Sequence, residues 1–125
     1  MSTVRILCVD DDSRINELNR IALTRAGYDV ELSSSPSDAL ERLGAESFDL
    51  VITDLSFPDS REKEFIAKLR TTVPALPIIL TSGNHHPPAE VLEQTDAFVA
   101  KAYSVNALTD SVRELLARGK LRRIG

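Results

Sequence analysis

The stretch Leu50-Val51-Ile52-Thr53-Asp54 decides the fold of this 125-residue chain, because a run of apolar and β-branched residues ends there abruptly in a carboxylate. The run Ile6-Leu7-Cys8-Val9 shows the same pattern and ends in Asp10-Asp11-Asp12. Near-continuous apolar runs of this length are typical of strands covered on both faces, as in a parallel sheet. Charged residues directly after such strands lie at the carboxyl edge of the sheet, where open α/β folds bind their ligands.

Five runs of this kind alternate with segments of helical period along the chain. The second run alternates polar and apolar residues instead, so we place it at a half-exposed edge of the sheet. Five repeats of strand and helix indicate an α/β fold with parallel strands and right-handed crossovers; an antiparallel α+β fold is the alternative. The predicted strands are Arg5–Val9, Tyr28–Leu32, Asp49–Thr53, Pro77–Thr81 and Ala97–Ala100.

Apolar spacing and helix-start or helix-stop residues predict five helices. Gly27 is predicted to follow the first helix as its C-terminal cap, and Ser35 to cap the second helix ahead of Pro36. The short fourth helix is predicted over Ala89–Thr95, and the fifth is expected to end near Gly119. The apolar faces are Ile15, Leu18, Ala22 and Ala26 in the first helix, Phe65, Ile66, Leu69 and Val73 in the third, and Val105, Leu108, Val112, Leu115 and Leu116 in the fifth.

Composition and charge are those of an ordinary single globular domain, with 42% hydrophobic and 27% charged residues. The net charge of -4 argues against nucleic-acid binding, which usually needs a basic face. The single cysteine, Cys8, excludes an internal disulfide and a multi-cysteine metal site, and it fits a reducing compartment. No apolar run approaches the length of a membrane span or of a signal peptide, so we expect a cytoplasmic protein without a membrane partner.

Polar residues follow four of the five predicted strands: Asp10-Asp11-Asp12, Asp54, Ser82 and Lys101. Because the carboxyl ends of parallel strands meet at one edge, these residues are expected to form one site. Carboxylate oxygens open to water suit Mg²⁺ rather than zinc, and clustered carboxylates repel unless a cation lies among them. A carboxylate beside a divalent cation, a hydroxyl and a lysine can accept a phosphoryl group.

Each of these residues also has a purely structural interpretation. Asp12 or Ser13 could be the N-terminal cap of the first helix, Ser82 a turn residue and Lys101 a surface charge. Asp54 is the hardest to explain structurally, because a charged group there ends a buried strand.

With these residues in place, the sequence resembles the receiver domains of response regulators, and the phrase Pro77–Gly83 is similar to receivers joined to hybrid histidine kinases. The resemblance implies a single doubly wound five-stranded parallel sheet of order 2-1-3-4-5, with helices on both faces. It covers residues 4–118, so we expect a receiver domain over 1–118 and a basic C-terminal tail or linker remnant over 119–125. The matching stretches are Ile6–Asp12, Phe48–Leu55 with Pro58 beyond it, Leu76–Gly83 and Asp96–Lys101.

The resemblance also implies a role for each site residue. Asp54 would accept a phosphoryl group from a histidine kinase or histidine phosphotransfer protein, in a domain that promotes its own phosphorylation and dephosphorylation rather than acting as an enzyme. Asp11, Asp54 and the backbone carbonyl of Ser56 would hold Mg²⁺, with Asp10 reaching it through water. The remaining implied residues are Ser82 and Lys101 on the phosphoryl group, Phe98 as the aromatic switch, and Ser56 and Asn84 as the positions that tune phosphoryl loss. The fourth helix, fifth strand and fifth helix would face an effector or form a homodimer.

Two departures from the family pattern carry expectations of their own. Ala102 replaces the usual proline, which predicts a trans 101–102 peptide bond or a visibly strained one. Ser60-Arg61-Glu62 replaces the usual Met-Asp-Gly, so that loop is expected to run differently.

Two other functions stay open at this point. One is a receiver-like interaction module that is not phosphorylated. The other is a small phosphatase of the haloacid dehalogenase type, with Asp10 as nucleophile and Asp12 as acid and base. That alternative leaves Asp54 unexplained.

Overall fold

The computed structural model describes residues 3–54, 61–82, 89–100 and 105–124. The strands are β1 (Arg5–Val9), β2 (Asp29–Ser33), β3 (Leu50–Asp54), β4 (Ile78–Ser82) and β5 (Ala97–Ala100). The helices are α1 (Ser13–Arg25), α2 (Pro36–Ala45), α3 (Arg61–Thr72), α4 (Ala89–Leu92) and α5 (Val105–Ile124). All strand pairs are parallel and lie in the order β2-β1-β3-β4-β5, which confirms the predicted fold and strand order.

Two apolar clusters join the sheet to the helices, one on each face. Successive residues of a strand point to opposite faces, so Leu7 and Val9 belong to one cluster, and Ile6 and Cys8 to the other. The first face is covered by α2, α3 and α4, and the second by α1 and α5. Because both faces are covered, β3 and β4 are buried along their whole length, which explains their near-continuous apolar sequences.

The face of α1 that packs on the sheet differs from the predicted one. Asn16, Asn19 and Leu23 are buried, whereas Leu18 is 62% exposed and Ala26 is also exposed. The prediction was wrong for Leu18 and Ala26, because it ranked residues by hydropathy, whereas Ile15 and Ala22 are half-buried. Two main-chain carbonyls at the strand ends accept hydrogen bonds from Asn16 Nδ2, which satisfies the donor group of this buried side chain.

The starts of α1 and α2 agree with the predicted caps. Asp12 is the N-cap of α1, and its carboxylate accepts a hydrogen bond from the backbone N–H of Arg14 at 2.9 Å. Ser35 caps α2 in the same way. Gly27 follows the end of α1 with a φ of 100°, a left-handed conformation that glycine adopts without strain.

Two helix ends differ from the predictions. α4 ends at Leu92 rather than Thr95, because the Thr95 N–H donates back to the Leu92 carbonyl in a tighter turn. α5 continues past Gly119 to Ile124. A glycine inside a helix costs only about 1 kcal/mol, and the lysine, leucine and arginine that follow it are good helix formers.

Arg70 of α3 ties together the chain segments that precede β4 and β5. Its guanidinium donates hydrogen bonds to the carbonyls of Pro74 and Leu76, at 3.1 and 3.0 Å. It also donates to the Gln94 carbonyl and to the Asp96 carboxylate, at 2.7 and 2.9 Å. The segment between α4 and β5 is therefore anchored to α3, at the edge of the sheet opposite to the acidic residues.

The predictions for the 101–102 peptide bond and for Ser60 fall outside the described residues. Arg61 and Glu62 belong to the first turn of α3. None of the described helices is long and apolar enough to cross a membrane.

Candidate functional site

Three carboxylates meet at the carboxyl edge of the sheet, where β1 and β3 end. Val9 lies opposite Thr53 in the parallel register, so the next residues along the two strands, Asp10 and Asp54, are side by side. One oxygen atom from each of Asp10, Asp11 and Asp54 lies within 4.8 Å of the other two. The structure thus brings together three of the residues that the sequence predicts as metal ligands.

The acidic turn, residues Asp10–Asp12, is held at the end of β1 by hydrogen bonds. The Asp10 N–H donates to the Ser33 carbonyl at 3.1 Å, which joins the turn to the end of β2. The Asp12 N–H donates to Asp10 Oδ1 at 2.9 Å. Asp10 and Asp54 are each 2% exposed, whereas Asp11 faces solvent. The trio therefore has a buried side and an open side.

The charges of the acidic turn affect its neighbours. Burial, and secondarily the charge of Asp10, raise the pKa of the Cys8 thiol to about 12. The pKa of Asp12 is lowered, first because its carboxylate accepts the backbone hydrogen bond from Arg14 and then because it bonds the Arg14 side chain. Asp12 thus serves as the N-cap of α1.

The donor set fits Mg²⁺. Carboxylate oxygens are the hard ligands that this cation prefers, and it keeps several waters, which the open side at Asp11 allows. Two oxygens bound to one Mg²⁺ at about 2.1 Å lie at most about 4.2 Å apart. The carboxylate oxygens of the trio lie within 4.8 Å of one another, which is close to that value. Small side-chain adjustments would therefore be sufficient for them to bind one cation.

The remaining predicted site residues are placed as follows. Ser82 is 3% exposed and ends β4, one residue after Thr81, which lies opposite Asp54. Phe98 of β5 is half-buried against the cluster under α3 and α4. Ser56, Asn84 and Lys101 lie outside the described residues.

Sequence reasoning missed Asn16 as a neighbour of the site. This residue is 4% exposed, and its Nδ2 donates hydrogen bonds to the carbonyls of Asp10 and Ser33, both at 3.0 Å. The available signal was an amide in the first turns of α1, close enough to reach back to the end of β1.

The family model of the response regulator receiver domain matches residues 6–113. The chain belongs to this family. Among its relatives, the response regulator MprA of Mycobacterium ulcerans is 32% identical over 122 residues, which cover 95% of this receiver domain and 53% of MprA. The receiver domain thus spans about half the length of that relative.

Solved structures show the same fold. A CheY-like receiver domain of Methanospirillum hungatei is 26% identical, with a TM-score of 0.87 over 97% of this chain and 99% of that one. The response regulator TrrA of Thermotoga maritima, solved with Mg²⁺-BeF, is 28% identical, with a TM-score of 0.84 over 90% of this chain and 99% of that one. TrrA has also been solved in complex with the histidine kinase ThkA; it is there 29% identical with a TM-score of 0.83, over 91% of this chain and 99% of that one.

Membership of this family makes the chain a signalling domain of two-component systems.

Proposed function

We propose that this receiver domain accepts a phosphoryl group on Asp54, in the cytoplasm, from a histidine kinase or a histidine phosphotransfer protein. The observation that carries the proposal is the meeting of Asp54 with Asp10 and Asp11 at the carboxyl edge of the sheet. The complexes of TrrA with Mg²⁺-BeF and with a histidine kinase support it by similarity.

The transfer needs a nucleophile that is held in place and relieved of repulsion. An oxygen of Asp54 attacks the phosphorus, the new O–P bond forms as the P–N bond to the donor imidazole breaks, and the imidazole leaves with the bonding electrons and takes up a proton. Asp54 is 2% exposed at the end of β3, so its position is defined before the donor arrives. Mg²⁺ would supply the positive charge that offsets the carboxylates and the phosphoryl oxygens.

The other site residues complete the proposed machinery. Asp11, Asp54 and the Ser56 carbonyl would hold Mg²⁺, with Asp10 acting through water, while Ser82 and Lys101 would bind the phosphoryl oxygens. Phe98 would report the switch, and Ser56 and Asn84 would tune the rate at which the domain loses the phosphoryl group. Ser82 supports this assignment because it ends the strand next to β3.

Two surfaces are proposed for partners. Leu18 is 62% exposed and Ile21 is 39% exposed, one turn apart on α1, the helix that begins beside the acidic turn. This apolar pair is suited to a helix of the phosphoryl donor. The surface of α4, β5 and α5 would meet an effector or a second copy of the chain. Residues 119–125, of which 119–124 lie in α5, would form a basic tail or linker remnant.

Intact-mass measurement with acetyl phosphate and Mg²⁺ tests the proposal. The wild type should gain the mass of one phosphoryl group, and Asp54→Asn should gain none. Asp12→Asn is the matched control, because it makes the same change at the same edge but outside the trio, and it should still be modified. An adduct that persists in Asp54→Asn would contradict the proposal, and its absence from the wild type would favour an interaction module that works without phosphorylation.

A further inference from the structure

We propose that Asn16 is a positioning residue, which orients the Asp10–Asp11 peptide so that both carboxylates face one cation. The inference rests on the Mg²⁺-dependent function proposed above and adds a residue to it. Asn16 belongs to α1 and touches neither the cation nor the phosphoryl group in this proposal.

The Asn16 amide spans the ends of two strands. Its Nδ2 donates one hydrogen bond to the Asp10 carbonyl at the end of β1 and one to the Ser33 carbonyl at the end of β2, both at 3.0 Å. The Ser33 carbonyl also accepts the Asp10 N–H at 3.1 Å. One buried amide therefore holds the acidic turn against β2 and against the start of α1.

The bond to the Asp10 carbonyl bears directly on Asp11. The Asp10 carbonyl and the Asp11 N–H belong to the same peptide unit, which is planar, so a fixed oxygen fixes the direction in which the chain enters Asp11. Because the Asp11 side chain is exposed, packing does not hold it, and the backbone must place its carboxylate within 4.8 Å of those of Asp10 and Asp54.

Stability alone does not explain an asparagine at this position. Asn16 Oδ1 is buried and accepts no hydrogen bond from any described residue. A buried amide oxygen without a partner carries a free-energy cost that a leucine of similar volume would not have. The two bonds that Nδ2 donates are what a leucine would lose, and both end on the backbone beside the acidic trio.

The test compares Mg²⁺ binding in two classes of variant by isothermal titration calorimetry. Asn16→Leu and Asn16→Ala remove the donor, and loss of such an outer contact should raise the dissociation constant for Mg²⁺ about tenfold or more. Leu23→Ala is the matched control, because Leu23 is a fully buried residue of the same helix that makes none of these hydrogen bonds. It should lower the melting temperature and bind Mg²⁺ as the wild type does.

A second readout needs no metal. The backbone N–H of Asp12 donates a hydrogen bond to Asp10 Oδ1. In EDTA, this amide proton should exchange with solvent faster in the Asn16 variants than in Leu23→Ala, when each protein is measured the same number of degrees below its own melting temperature. Wild-type Mg²⁺ affinity and wild-type Asp12 exchange in a folded Asn16→Leu or Asn16→Ala would overturn the inference, even if the wild type forms the Asp54 adduct. Weakened Mg²⁺ binding in those variants, together with a wild type that forms no adduct, would sustain it and refute the proposed phosphoacceptor function instead.

Discussion

Replacing Asp11 by asparagine should stabilise the metal-free domain, because it removes one of three carboxylates that repel one another. At the limiting separation of 4.8 Å, two unit charges repel by about 0.9 kcal/mol in water and about 3.5 kcal/mol at an effective dielectric of 20. Asp11 is exposed, so the value for water applies, and its two neighbours together give about 1.7 kcal/mol. For 125 residues the unfolding entropy is about 0.26 kcal/mol/K, so the melting temperature should rise by about 6 °C.

The assay is thermal unfolding followed by circular dichroism, in EDTA and in excess Mg²⁺. A ligand at ten times its dissociation constant stabilises the folded state by about 1.4 kcal/mol, so the wild type should gain about 5 °C on addition of Mg²⁺. Asp11→Asn should gain much less, because it has lost one of the proposed Mg²⁺ ligands. The difference of about 6 °C between the two proteins in EDTA should therefore be much smaller in excess Mg²⁺.

Asp12→Asn is the control for this prediction. Asparagine also caps helices well, and Asp12 lies outside the trio, so this variant should not be stabilised in EDTA. The charge reasoning would be refuted by an Asp11→Asn protein that melts at or below the wild-type temperature in EDTA, or that keeps the full Mg²⁺ shift.

Three further predictions concern residues around the site. The pKa of Asp38 is lowered, first by the hydrogen bond from Ser33 and then by Arg42. This carboxylate therefore stabilises the fold above its unfolded pKa of about 3.8, and the contribution disappears as the pH falls through the folded pKa. Asp38→Asn should therefore be less stable than wild type to urea at pH 7, with a smaller difference at pH 3; a constant difference would contradict this. Leu18→Glu should slow phosphoryl transfer from a phosphotransfer domain that modifies the wild type, and leave modification by acetyl phosphate unchanged; equal slowing of both would argue against docking on α1. The Cys8 thiol, buried and with a pKa of about 12, should resist iodoacetamide at pH 8 until urea unfolds the chain, as mass spectrometry would show; fast alkylation of the native protein would count against its burial.

Local sequence was sufficient for the elements whose causes are local. The buried strands β1, β3 and β4 follow from apolar runs that end in polar residues, and the caps at Asp12 and Ser35 depend on atoms two or three residues away. The order of the strands came from resemblance to a known family, and the sheet confirms it.

The sequence by itself determined which residue types end each strand, and hence that acids and a hydroxyl would stand at one edge of a parallel sheet. Only the tertiary structure decided which side of α1 is buried and what holds the acidic turn, because these depend on partners distant along the chain. The Asn16 amide is bonded to Ser33, 17 residues away, and the Arg70 guanidinium to Gln94, 24 residues away. Hydropathy ranks side chains one at a time, whereas the burial of a polar group is favourable only where a folded partner accepts its hydrogen bonds.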